Sequence, residues 1–202
     1  MTDVFHAGER ELQERFDSVR LADVLQANIM HDEFTPNDVR FLEARDMFFL
    51  ATGDDEGNLD CSYKGGDPGF VRVLGPSTLA FPNYDGNGMF MTGGNILRHP
   101  KVGMLFIDFE HQWRMRVNGT ASIHYDHALM ADFPEAQFIV EVEAEMIFPN
   151  CPRYIHKMQM VERSKFVPKS ECETPDPDWK DHFEEALPAA QQARRSARRQ
   201  GS

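Results

Sequence analysis

Two cations and a loop rich in glycine and amide side chains hold most of the chemistry legible in this chain. Lys64 and Arg72 fall in short extended segments of a protein whose formal net charge is −12. From Ser62 to Asn95 the sequence reads SYKGGDPGFVRVLGPSTLAFPNYDGNGMFMTGGN. The apolar runs Phe70–Leu74 and Thr78–Phe81 are joined by Gly75-Pro76-Ser77. That is a hairpin signal, because Pro suits a turn and is barred from the middle of a paired strand. A polar loop, Asn83-Tyr84-Asp85-Gly86-Asn87-Gly88, then leads into a predicted helix that stops before Pro100. A strand, a glycine–amide loop and a helix start together make a natural anion site. Backbone N–H groups are unpaired in a first helical turn, and the helix dipole favours negative charge there.

A second pair of cations sits farther along. Gln112–His124 alternates, with Met115, Val117, Gly119, Ala121 and Ile123 on one face and Arg114, Arg116, Asn118, Thr120 and Ser122 on the other. Period-two alternation buries one face and leaves the other for water, a ligand or a partner. On residue types alone, Arg72, Arg114 and Arg116 could equally pair with the surplus carboxylates, Phe81-Pro82 could be turn packing, and Asn87 and Asn95 could be helix caps.

The elements that must position these residues follow from spacing. Phe16, Val19, Ala22 and Leu25 predict a helix over 9–29. Thr35, Pro36 and Asp38 form a capping-box start for a short helix ending near Ala44. Asp46–Gly53, Leu59–Lys64, the central hairpin, Lys101–Phe109, Gln112–His124 and Gln137–Phe148 read as strands. In the last of these, Phe138, Val140, Val142, Ala144, Met146 and Phe148 are expected inward. A short helix is expected over Asp126–Phe133 and another over Asp178–Leu187. Six or more antiparallel strands in succession predict a closed or nearly closed barrel, mainly β with peripheral helices. The expected organisation is an N-terminal helical extension over 1–40, the barrel over 41–167, and a C-terminal extension over 168–202.

Composition excludes several classes. No apolar run approaches the roughly 20 residues of a membrane span, and the N-terminus lacks the basic and apolar regions of a signal peptide, so no membrane association and a cytoplasmic location are expected. The acidic balance argues against nucleic acid as a partner. The arginine-rich tail after Gln191 is expected to be a solvated, poorly packed terminus. Three scattered cysteines, Cys61, Cys151 and Cys172, do not make a disulfide framework, and Cys61 and Cys151 are expected as buried thiols. No metal site is expected. Asp54-Asp55-Glu56-Gly57-Asn58 lacks EF-hand spacing, and His124 and His127 lack a third ligand. Met91 stands where a third glycine of GxGxxG would be, which argues against a Rossmann site.

The ordered set SYKGG, GFVRVLG, LAFPNYDGN, TGGN, NILRHPKVGMLFID and RMRVNGTA, spread over Phe41–Ile155, resembles the flavin-binding split barrels related to pyridoxamine 5'-phosphate oxidase. Cys151-Pro152-Arg153-Tyr154-Ile155-His156 resembles a segment of that barrel's predicted flavin-nucleotide-binding subgroup. The resemblance implies an antiparallel, Greek-key split β-barrel that binds FMN as a homodimer, with the flavin at the subunit interface. It puts Arg72 at the phosphate-binding position, with Ser62, Val73 and Leu74 beside the site. A family Lys falls at Gly75, where Lys64 is the candidate replacement. Phe81, Pro82 and Asn83 match the segment along the flavin ring, Asp85 and Asn87 lie near the ribityl chain and phosphate, and Asn95 is a further amide contact. Arg114 and Arg116 would reach the flavin edge of the other subunit. The implied activity is electron or hydride transfer through FMN to or from a small organic substrate, with no general base identified. The tail lacks the Trp- and Arg-containing ending of pyridoxamine 5'-phosphate oxidase itself, so that substrate does not carry over. The alternatives are a non-catalytic flavin- or haem-binding carrier or sensor, and a deazaflavin-dependent reductase. Arg153 is expected either to bind phosphate or substrate, or to anchor the C-terminal extension.

Overall fold

The structure, a computed structural model, describes residues 4–200. The outermost residues of both expected extensions, 1–3 and 201–202, lie outside it. The chain divides into two units, one up to Val161 and one from Glu162.

The first unit begins with two helices where the periodicity predicts one. They are α1, Ala7–Arg15, and α2, Val19–Ile29. Asp17 between them has φ 50°, a left-handed conformation that no continuous helix accommodates. The third helix, α3, Pro36–Glu43, starts as its capping box predicts. Asp38 N donates to Thr35 Oγ1 at 3.3 Å, and Thr35 N donates to Asp38 Oδ2 at 2.8 Å. Just before it, His31 exchanges backbone hydrogen bonds with Ile147, and Phe34 N donates to Pro76 O.

Seven strands follow: β1 Met47–Gly53, β2 Leu59–Gly65, β3 Arg72–Val73, β4 Thr78–Asn83, β5 Lys101–Asp108, β6 Trp113–His124 and β7 Phe138–Pro149. They form one antiparallel sheet in the order β2-β1-β5-β6-β7-β4-β3. The edge strands β2 and β3 are not paired with each other, so the sheet makes a barrel that is split rather than closed. Phe48 lies at the centre of the core, fully buried. Its ring centroid is 5.8 Å from that of Phe70, 5.0 Å from Phe81 and 4.9 Å from Phe106. Helix α4, Met91–Arg98, packs against β6, β1 and β2. Its Ile96 is buried, and its Asn95 Nδ2 donates to Thr52 Oγ1 of β1 at 3.0 Å.

One expectation fails in β7. Its pairing with β6 slips between Asn118 and Gly119, where Asn118 faces Met146 and Gly119 faces Ala144. Glu145 is the extra residue, and a bulge of this kind reverses which residues face inward. Ile147, not Met146, is therefore fully buried. Phe148 lies opposite Arg116, whose guanidinium carbon is 5.9 Å from the Phe148 ring centroid.

Other details also depart from expectation. Ala128–Ala131 is a 3₁₀ turn rather than an α-helix. All three cysteines are exposed. Cys61 pairs with Ala51 and so alternates outward between inward-facing residues of β2, and Cys151 lies past the end of β7. No helix among the described residues is long and apolar enough to cross a membrane.

At the end of β5, Asp108 is tied to Arg45 Nη1 at 2.7 Å and accepts from His111 N at 2.9 Å. Burial pushes the Asp108 carboxyl up, but hydrogen bonds from the His111 N–H and ring, together with Arg45, outweigh it and hold the group below the ordinary 3.8. A depressed folded-state value means the carboxylate stabilises the fold above the ordinary carboxylate pKa. That stabilisation fades as pH falls through the lower folded value. Asp108→Asn is expected to cost about 2 kcal/mol at neutral pH. In urea unfolding followed against pH, the gap to the unaltered protein should close below about pH 4.

In the second unit, Asp178–Ala186 is 3₁₀ with an internal kink at Phe183, and α5, Ala189–Gln200, is helical where a loose tail is expected. The arginines are neutralised by the acidic stretch before them. Arg194 Nη2 lies 3.0 Å from Asp176, Arg198 Nη1 lies 3.1 Å from Asp176, and Arg199 Nη1 lies 2.9 Å from Glu184. Arg195 pairs with Asp181.

Candidate functional site

A cleft of about 410 Å³ opens between β2, α4 and the loop that joins β4 to α4. The register of β1 and β2 explains its polar wall. Lys64 pairs with Phe48, Ser62 with Leu50 and Asp60 with Thr52. Facing partners in an antiparallel pair share a side of the sheet. The three polar side chains of β2 therefore occupy the inward face that elsewhere carries the core, at the edge where the barrel is split.

Thr92, in the first turn of α4 and buried, joins them. Ser62 Oγ lies 2.9 Å from Thr92 Oγ1 and donates to Asp60 Oδ2 at 2.9 Å. Thr92 Oγ1 accepts from Lys64 Nζ at 3.2 Å and donates to Asp60 Oδ2 at 3.4 Å. Burial pushes the Lys64 ammonium below its ordinary 10.5, and the Asp60 carboxylate partly restores it. Phe90, at the N-terminal boundary of α4, has φ 50° and gives the helix no side-chain cap. The first-turn backbone N–H groups lack intrahelical partners. They belong to residues that line the cleft: Met91, Thr92 and Gly93.

The opposite wall comes from the β4–α4 loop. Asn83 Nδ2 donates to Gln137 Oε1 at 2.9 Å, and Asn87 Oδ1 accepts from Met89 N at 3.0 Å. Tyr84 lines the same wall, and its phenol is pushed up to about 12 by burial, with the Asp67 carboxylate adding to it. It remains a protonated donor at any working pH. Met89, Phe90 and Met91 are exposed and form an apolar rim.

The structure thus brings Ser62, Lys64, Asn83 and Asn87 into one cleft and leaves other candidates outside it. Arg72 is exposed on β3, paired with Ala80, and does not line the cleft. Val73 also pairs into β4, its N–H donating to Glu43 Oε1, and Leu74 is exposed in the turn that follows. Phe81 and Pro82 are buried in β4, with Phe81 edge-on to Phe48. Asp85 is exposed in the loop, and Asn95 is engaged with Thr52. Arg114 and Arg116 sit on the outward face of β6, opposite the buried Met115 and Val117. The Nε of Arg114 is buried without an acceptor. Arg153 is exposed beyond β7.

Sequence reasoning missed Asp60, Tyr84, Thr92 and Gln137. Asp60 was within reach, since alternation puts 60, 62 and 64 on one face. Thr92 meets that face only through a contact 30 residues away in sequence from Ser62, which no local pattern carries.

The donor set fits a flavin phosphate in part. A half-buried ammonium, two hydroxyls and first-turn N–H groups suit an anion, and the volume falls within the range of small-molecule clefts, roughly 300–1,000 Å³. The Asp60 carboxylate among them does not suit one.

Comparison with curated proteins finds no match. Among solved structures, similar chains include a Lactobacillus delbrueckii protein described provisionally as a pyridoxamine 5'-phosphate oxidase, with 27% identity, TM-score 0.48, and 58% of this chain and 95% of that one covered. HupZ of Group A Streptococcus has 19% identity and TM-score 0.47, covering 57% of this chain and 94% of its own. An FMN-binding protein of Syntrophomonas wolfei has 11% identity and TM-score 0.44, covering 70% and 96%. The sequence pattern of the family described as pyridoxamine 5'-phosphate oxidase matches residues 34–163, well over half of the chain and the whole of the seven-stranded sheet. The chain belongs to the pyridoxamine 5'-phosphate oxidase family of flavin-binding split barrels.

Proposed function

We propose that this protein binds FMN in the cleft beneath α4 and acts as an oxidoreductase on a small organic substrate, as a cytoplasmic homodimer. The observation that carries the reading is the joining of Lys64 and Ser62 of β2 to Thr92 of α4 in one hydrogen-bonded group. Lys64, the two hydroxyls and the first-turn N–H groups would hold the phosphate. Asn83, Gln137 and Asn87 would meet the polar parts of the cofactor, and Tyr84 and the Met89–Met91 rim would cover apolar surface. Bound FMN supplies hydride or electron transfer, and the protein supplies position and charge. Tyr84, kept protonated, offers a hydrogen-bond donor within the cleft. Arg114 and Arg116 point away from the cleft of their own chain, which supports a role at the site of a second copy. There a cation would favour an anionic reduced flavin by charge complementarity.

The test is the visible spectrum of the protein mixed with FMN, followed by addition of NADH or NADPH and then air, with molar mass measured by light scattering. A perturbed flavin spectrum that bleaches and recovers, on a particle of twice the chain mass, is the expected result. A perturbed spectrum that no reductant changes would mark a carrier instead. A Soret band after haem addition, with no flavin response, would overturn the reading.

A further inference from the structure

Asp60 is the one group in the cleft that works against the ligand proposed for it. Its Oδ2 takes hydrogen bonds from both cleft hydroxyls, Ser62 at 2.9 Å and Thr92 at 3.4 Å. Each hydroxyl has a single proton to give, and their own 2.9 Å contact uses one of the two whenever it is made as a hydrogen bond, leaving the other for Asp60. With those protons spent on Asp60 or on each other, neither is available to an anion in the cleft. Lys64, the cation of the group, shares the Thr92 hydroxyl and feels the Asp60 carboxylate directly. One negative and one positive side chain leave the polar wall close to neutral. A phosphate monoester carries up to two negative charges at neutral pH. It must therefore compete with a fixed carboxylate and its hydrogen-bonded hydroxyls for their protons, and with that carboxylate for the same ammonium.

We infer that Asp60 is a specificity-determining residue that keeps the flavin exchangeable. It opposes the phosphate end of FMN so that the cofactor is bound and released as a dissociable ligand rather than retained as a resident group. The inference rests on the FMN reading above and adds the strength and selectivity of binding. Its physical basis is charge, so it predicts an effect confined to ligands that carry the phosphate. Riboflavin shares the ring and ribityl chain of FMN and lacks that group, which makes it the matched control.

The experiment is titration of the full chain with FMN and with riboflavin, read by quenching of flavin fluorescence, for the unaltered protein, Asp60→Asn and Asp60→Ala. Removing the carboxylate is expected to tighten FMN about tenfold in both variants and to leave riboflavin within about twofold. The unaltered protein should lose FMN on desalting, whereas the variants should retain it. A gain in Asp60→Asn without one in Asp60→Ala would trace the effect to a new amide donor and overturn the inference. So would equal changes for FMN and riboflavin, which would mean that Asp60 only shapes the cleft. Unchanged or weaker FMN binding, with riboflavin steady, would overturn the role of Asp60 and leave the FMN site standing. Failure of all three proteins to bind either flavin would overturn both.

Discussion

Replacing Lys64 with Met should weaken FMN binding about 100-fold and leave riboflavin nearly unaffected. Lys64 supplies the only cation among the cleft-lining residues, and it is half-buried, where a charge-assisted contact to phosphate is screened less than at the surface. Met fills a similar volume and leaves the inward face of β2 packed. Thr92→Val should lower FMN affinity further, by less than an independent tenfold step, because Thr92 and Lys64 belong to one hydrogen-bonded group. Arg72→Met separates this assignment from the one the family motif implies. Arg72 lies outside the cleft, so its loss should change FMN affinity by no more than about threefold, since exposed charges act weakly. Fluorescence titration of the three variants decides the matter. An Arg72 variant that loses FMN while the Lys64 variant retains it would move the phosphate to the other edge of the sheet.

The largest effect on stability is expected at Gly119. A β-carbon there would sit 2.1 Å from the carbonyl oxygen of Glu143, 2.9 Å from its carbon and 3.1 Å from Ala144 Cα. These are backbone atoms of the neighbouring strand, at the point where the bulge brings the two chains together. No rotamer change relieves that contact. Gly119→Ala should cost about 3 kcal/mol or more and lower the melting temperature by about 10 °C. Gly94→Ala in α4 is the control. A β-carbon there meets nothing within 4 Å, so the substitution should be neutral or stabilise by a few tenths of a kcal/mol. If both variants melt with the unaltered protein, the bulge does not bring the strands as close as described.

Much of the architecture was legible because local signals agreed with one another. Thr35-Pro36-Asp38 marks the start of α3, and the alternation over 113–124 marks β6 with its two faces. The misreadings share a cause. The slip of phase at Glu145 depends on the partner strand, and the break at Asp17 depends on one left-handed residue that helical spacing does not register. The arginine tail reads as solvated until the acidic segment before it is seen to pair with it. The site was half legible for similar reasons. Lys64 and Ser62 could be found on one strand, but the motif drew attention to Arg72, and only tertiary structure separates that residue from the cleft. Asp60 was overlooked because an acidic residue in an acidic chain draws no notice until its neighbours are known.

The short strap ahead of α3 has a practical meaning for anyone trimming this protein. β4 pairs with β7 only as far as Glu143, so the far end of β7 would present bare peptide groups on that side. His31 covers them at Ile147. The region that matches the family begins at residue 34, three positions too late to include that cover. A version cut to the matched region would expose a strand edge ready to zip onto another molecule, and its failure in solution would look like aggregation rather than unfolding.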